Sequence, residues 1–237
     1  MPKRRAAINV GNSRISWFLW PEEEAGAFPV TEKLPQSLKE ELSPREIYLA
    51  SVNPERAARL REEIGMAVKL LGEDIRLPIR NLTRKPEQVG LDRLLVALGA
   101  CRALGTAIAV DFGTAITVNL VRAGSEGPEF LGGAILPGLD LSLRALSEGT
   151  SKLPLLELKE PPDLFLGRTT EEAVKAGVFW SLSGGIRFLI ERFQEEEAGA
   201  RIAATGGSAP LFVPHLATEV YYDPYLLFRG VEACFPD

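Results

Sequence analysis

Ala7-Ile8-Asn9-Val10-Gly11-Asn12-Ser13 reads onto Ala109-Val110-Asp111-Phe112-Gly113-Thr114-Ala115 at a constant offset, and this repetition decides the fold. Each copy is an apolar, β-forming run, a glycine turn and a second such run, which is the signature of a hairpin. The second copy is the cleaner: Thr106 to Asp111 is β-rich, Gly113 permits a tight turn, and Ile116 to Val121 is apolar again. One such hairpin is unspecific, because Asp-x-Gly-Thr and Asn-x-Gly-Asn also occur in ordinary turns. Two of one pattern, about a hundred residues apart, predict a duplicated fold with one lobe per copy.

Outward from the first hairpin, Glu46 to Ser51 reads as a strand, and Pro54 opens a helix over Glu55 to Gly65 with Ala58, Leu60 and Ile64 inward. Ile75 to Ile79 reads as another short strand, and a helix runs from Asp92 to Leu104, burying Leu94, Leu95 and Leu98. After the second hairpin, Phe130 to Gly138 is too glycine-rich for a helix and reads as strand and turn, followed by a helix over Leu139 to Ser147. Pro154 to Pro162 reads as a loop. Thr169 with Glu172 fits a capping box, and Val174, Val178, Leu182, Ile186, Leu189 and Phe193 recur at helical spacing as far as Glu196. Gly184-Gly185 inside that helix implies a kink or a close contact. Arg201 to Ala204 is a strand, and Thr205-Gly206-Gly207-Ser208 opens a short helix. Strands alternating with helices define an α/β class with mixed sheets, divided by the repeat into lobes over residues 1–107 and 108–237.

Composition removes several function classes. The chain has 237 residues, 46% of them hydrophobic, enough for a substantial core, and a net charge of -5 offers no basic surplus for a nucleic-acid backbone. Cys101 and Cys234 are far apart and lack CxxC or Cys/His spacing, so neither a disulfide framework nor a zinc site is expected. Met1 to Arg5 is basic, but Asn9, Gly11, Asn12, Ser13 and Arg14 interrupt the apolar stretch after it, and no apolar run reaches the length of a membrane span; a soluble cytoplasmic protein is expected. His215, in a proline-flanked segment, is the only histidine, so a Ser-His-Asp or multi-histidine metal mechanism has almost nothing to work with, and carboxylates with backbone amides are expected to carry the chemistry.

Glycine turns flanked by hydroxyl or acidic groups offer backbone amides to phosphate, and two facing copies can clamp a triphosphate. The chain has no GxxxxGK[ST] and no GxGxxG, which disfavours P-loop and dinucleotide-binding Rossmann sites. In Val89-Gly90-Leu91-Asp92-Arg93, Asp92 is either a first-turn carboxylate favoured by the helix dipole or a base for an attacking hydroxyl, with Arg93 holding an anion. Thr205-Gly206-Gly207 is either a plain strand-to-helix turn or a place where a nucleotide approaches the backbone. Thr169 and Thr170 are first of all capping candidates.

Taken in order, INVGNS, SVNP, PEQVGLDR, VDFGTAIT, FLGGAILPGLDLSLRAL, KLP, LGRTTEEAVKAGVF, ATGG and DPYLLFRGVEACF resemble the ordered motifs of type III pantothenate kinases over nearly the whole chain. That resemblance implies a duplicated ribonuclease H-like, actin-like ATPase fold. It implies transfer of the ATP γ-phosphoryl to the terminal hydroxyl of pantothenate, the first step towards coenzyme A, by a homodimer that needs Mg²⁺ and a monovalent cation, K⁺ or NH₄⁺. Carried over by position, it makes Asp92 the general base and Gly90, Leu91 and Arg93 its neighbours on the substrate, with Arg93 facing the pantothenate carboxylate. Asp111 goes to the monovalent cation; Asn9, Gly11, Asn12, Ser13, Gly113 and Thr114 go to the phosphates; Thr205, Gly206 and Gly207 go to the adenosine side. Thr170 matches a threonine that reaches pantothenate across the dimer interface.

Two positions depart from the family pattern. Asn9 stands where the family has the aspartate of Asp-x-Gly-Asn-Thr, removing a charge from the magnesium position, while Ser13 keeps the hydroxyl. Thr83 stands where the family tends to have a tyrosine contacting pantothenate. The first departure leaves open a weakened or inactive relative that binds its ligands and acts as a regulatory protein, as in the Bvg accessory factor proteins of the same family. A kinase for another small hydroxyl compound is the second alternative, and an actin-like structural protein the third.

Overall fold

The computed structural model describes residues 3–216 and 219–236. Its first sheet grows from an antiparallel meander of β1 (Arg5–Val10), β2 (Arg14–Trp20) and β3 (Glu24–Pro29), to which β4 (Glu46–Ser51) and β5 (Val68–Leu70) add in parallel on the far side of β1. The order is β3-β2-β1-β4-β5. Because both faces are covered, β1 and β4 are apolar nearly throughout rather than alternating. Ala6, Ile8 and Val10 pack under α1 (Gln36–Leu42) and α2 (Pro54–Ile64), whereas Ala7 and Tyr48 face the middle of the molecule.

After a short β6 (Arg80–Asn81) comes α3 (Leu91–Leu104), and then the same plan repeats. β7 (Ala107–Phe112), β8 (Ala115–Gly124) and β9 (Gly127–Pro137) form a meander, α4 (Leu139–Glu148) and α5 (Thr170–Glu196) cover one face, and β10 (Arg201–Thr205) lies parallel to β7. α6 (Ala209–Phe212), β11 (Val220–Tyr222) and α7 (Leu226–Glu232) complete the chain. The second sheet has the order β11-β10-β7-β8-β9-β6, so its first five strands match the first sheet one for one, and β6 extends the edge by pairing with β9. Identical order and orientation in both halves make this a duplicated ribonuclease H-like fold of two lobes with mixed sheets.

α3 lies between the sheets. Its residues 95–101 are all buried, with Leu95 and Leu98 on the first-sheet side and Val96, Ala97, Ala100 and Cys101 on the second. α7 packs along it. A Cβ at Gly99 would stand 2.1 Å from the Leu226 carbonyl oxygen, and one at Gly230 would stand 2.0 Å from that of Leu95. α7 also closes the core of the first lobe, because Phe228, Val231 and Cys234 pack with Ala7, Phe18 and Tyr48.

Several local expectations are revised. No strand forms over Ile75 to Ile79; Ile75 makes a single bridge to Leu71, and Pro78 removes a ladder donor just before β6. α2 is capped by Asn53, whose Oδ1 accepts from the Arg56 N–H at 3.1 Å, and its inward residues are Ala57, Leu60 and Ile64, with Ala58 exposed. The capping box at Thr169 and Glu172 is complete. α5 continues unbroken through Gly184-Gly185 and buries Ile190 more fully than Leu189 or Phe193, and a Cβ at Gly185 would stand 3.7 Å from Leu136 Cδ2. One 18-residue window of α5 has a mean hydropathy of 1.2, long and apolar enough for a membrane span by composition; its buried side, including Val174, Val178 and Ile186, packs on the second sheet.

Candidate active site

β1 and β7 both end in turns that meet. The Gly11 N–H donates to the Arg14 carbonyl at 3.0 Å to close the first turn, and Ser13 Oγ lies 3.0 Å from Thr114 Oγ1 in a hydroxyl–hydroxyl hydrogen bond between the lobes. The equivalent turns of the sequence repeat are thus brought together, with Asn12, Ser13, Gly113 and Thr114 exposed at the junction. The strand-to-helix turn after β10 abuts the second hairpin. Register places Thr205 beside Asp111, and at Gly206, where φ is +97°, a Cβ would come within 2.6 Å of both Asp111 Oδ1 and the Phe112 nitrogen. Only glycine meets both conditions. Gly207 is exposed beside it.

Asp111 forms the floor of this junction. No side-chain hydrogen bond or salt bridge reaches it among the described residues. Burial, and secondarily the negative charge of Asp92, push its carboxyl up to about 7. Asp92 sits in the first turn of α3 after the helix cap Gly90, and its Oδ1 accepts the Arg93 N–H at 2.8 Å. Leu91 packs into the first-lobe core and so anchors this turn. The Arg93 Nε donates to Asn119 Oδ1 on β8 at 2.8 Å, which ties the VGLDR segment to the second hairpin.

Asn9 lies near the end of the equivalent strand of the first lobe, and its buried Oδ1 has no hydrogen-bond partner among the described residues. An orphaned oxygen there, with an unpaired carboxylate at Asp111, suits cation ligation. No group of three or more His, Cys, Asp or Glu residues that could hold a metal occurs among the described residues.

Thr170 stands apart. It is exposed in the first turn of α5 and lines a groove of about 530 Å³ with Leu146, Leu153, Val174, Val178 and Ser181, none of which belongs to the hairpins. Conversely, the structure adds residues that sequence reasoning missed. Asn119, fully buried on β8, holds the Arg93 side chain, and the Gly138 N–H donates to the Thr114 carbonyl at 3.0 Å, tying the start of α4 to the hairpin. The one available signal was the lone amide of Asn119 in the apolar run Ala115 to Val121.

The doubled sheet and the joined glycine hairpins place the molecule in the actin-like class of two-lobed folds. Among solved structures, a Campylobacter jejuni protein described as a Baf family transcriptional activator has a TM-score of 0.63 at 21% identity, covering 96% of this chain and 95% of that one. The ethanolamine utilization protein EutJ of Carboxydothermus hydrogenoformans has a TM-score of 0.54 at 15% identity, covering 99% and 91%. Those likenesses concern the fold. The chain belongs to the type III pantothenate kinase family, whose model matches residues 6–192. A type III pantothenate kinase of Synechococcus elongatus is 31% identical over 96% of this chain and 95% of its own length. Those of Rubrobacter xylanophilus and Thermosipho africanus are 37% and 39% identical over 70% and 62% of this chain; the matches span 64% and 58% of those relatives, less than two thirds.

Proposed function

We propose that this chain phosphorylates the terminal hydroxyl of pantothenate with ATP, and that the observation carrying this reading is the Ser13–Thr114 contact, which unites two phosphate-type turns above Asp111 and beside Asp92. The amides and hydroxyls of Gly11 to Ser13 and of Gly113 and Thr114 receive the triphosphate, and Thr205 to Gly207 receive the adenosine side. Asp92 accepts the proton of the acceptor hydroxyl as its oxygen bonds to the γ-phosphorus and ADP leaves. Arg93 pairs with the carboxylate at the far end of the acceptor. Asn9 Oδ1 would help hold Mg²⁺ and Asp111 would hold K⁺ or NH₄⁺, and these ions would supply the positive charge that such a transfer requires. Thr170 contacts pantothenate bound to a second copy, in a homodimer formed across the α4–α5 groove.

ATP consumption coupled to pantothenate, with Mg²⁺ and K⁺ present, tests this on the natural protein, Asp92→Asn and Asn9→Asp. The natural protein turns over, and Asp92→Asn lowers kcat by about 10² to 10⁴, the usual weight of a general base. A full rate in Asp92→Asn overturns the assignment of the base. The uncharged Asn9 favours a second reading, a relative that binds these ligands without turnover and regulates through them. In that case the natural protein binds ATP but is silent, and Asn9→Asp restores the reaction.

A further inference from the structure

Arg93 differs from the other partly buried arginines. Arg45, Arg56, Arg122 and Arg229 each make a salt bridge to Glu or Asp, whereas no carboxylate comes within ion-pairing distance of Arg93 among the described residues. Its Nε donates instead to a neutral oxygen, Asn119 Oδ1, at 2.8 Å, and the guanidinium carbon lies 5.4 Å from the centre of the Phe130 ring. A guanidinium has five N–H donors; with Nε engaged, the four on the two Nη atoms have no protein partner among the described residues. The positive charge is held in place and left unspent. Burial pulls the Arg93 guanidinium below its ordinary value, opposed by the Asp92 charge, so an incoming anion meets a cation already stripped of part of its water.

Asn119 is itself constrained. It is fully buried, where an amide is tolerated only if both its ends are bonded; the donor-only Arg93 Nε requires Oδ1 to face it, and Nδ2 then donates to Thr117 Oγ1 at 2.9 Å. The neighbouring strand leaves room for it, because a Cβ at Gly133 would stand 2.9 Å from Asn119 Oδ1 and 2.2 Å from the Val118 carbonyl oxygen.

We propose that Asn119 is a positioning residue that orients Arg93 by its Nε and so presents both Nη groups to the acceptor's carboxylate, making the enzyme selective for acidic over neutral acceptors. The inference rests on the assignment of Arg93 to the acidic end of the acceptor. An aspartate at position 119 has the same shape but the opposite consequence, since it would neutralise the guanidinium before substrate arrives.

Pantothenate and its alcohol analogue, in which the carboxylate is replaced by a hydroxymethyl group, separate the possibilities. Affinity by calorimetry, with KM and kcat alongside, is compared for the natural protein, Arg93→Met, Asn119→Ala and Asn119→Asp. The natural protein prefers the acid, and Arg93→Met abolishes the preference. Asn119→Ala weakens pantothenate by about tenfold, the loss expected for a hydrogen bond to a charged group, while the alcohol's affinity and kcat stay within about twofold. Asn119→Asp weakens the acid further and leaves the alcohol unaffected. If the alanine variant unfolds on heating at low temperature, the isosteric aspartate variant decides. Loss of the acid preference in Arg93→Met with natural pantothenate affinity in the Asn119 variants overturns this proposal alone. An acid preference that survives Arg93→Met, or is missing in the natural protein, overturns the Arg93 assignment and this proposal with it.

Discussion

Asp111 is an acid whose folded environment disfavours its charge, and that has a sign. Its carboxyl lies at about 7 in the folded chain and near 4 in an unfolded one, so between those values the folded state holds a proton that the unfolded state has released. In cation-free buffer, stability from this group is therefore full below about pH 4, falls as pH rises to about 7, and is level above it. Thermal midpoints at about pH 5 and about pH 8 should show the drop, K⁺ should reverse it at the higher pH by pairing with the carboxylate, and Asp111→Asn should remove both effects. A pH-independent midpoint in the natural protein contradicts this account. Asp111 was legible in the sequence because the repeat isolates it; so were Ser13 and Thr114, since equivalent turns of a duplicated fold converge. Asn119 was not, because an amide within a strand reads as a solvent-facing residue until a helix is found over that face.

Among elements, the crossing of α3 and α7 has the least tolerance. The helix backbones approach at Gly99 and Gly230 so closely that an added methyl group meets carbonyl oxygen, not a side chain that can rotate away. Gly230→Ala should cost about 1–3 kcal/mol by overpacking, read as a lower urea midpoint with an unchanged slope. A neutral effect would mean that the helices separate freely. α3 was legible from its periodicity and the acidic residue in its first turn, and α5 from its capping box and repeated apolar positions. β6 was not, since two residues carry no period, and the position of α7 was not, since it depends on backbone approach rather than on which side chains are apolar.

At the scale of the molecule, one surface stands out. Leu164, Phe165 and Leu166, in the segment entering α5, are 52%, 77% and 76% exposed, close in sequence to the groove that Thr170 lines. The homodimer proposed above would cover them, so ultracentrifugation should find a dimer, and Phe165→Ser with Leu166→Ser should shift it towards monomer and lower specific activity on dilution. A fully active monomer rules out the shared site. The joining of the lobes by α7 has a consequence for biosynthesis. A ribosome releases Ala7, Phe18 and Tyr48 well before Phe228, Val231 and Cys234, yet all six line one core. Translation therefore leaves the early half with an open apolar face until α7 arrives, and a premature stop before Leu226 delivers a nascent chain prepared to aggregate.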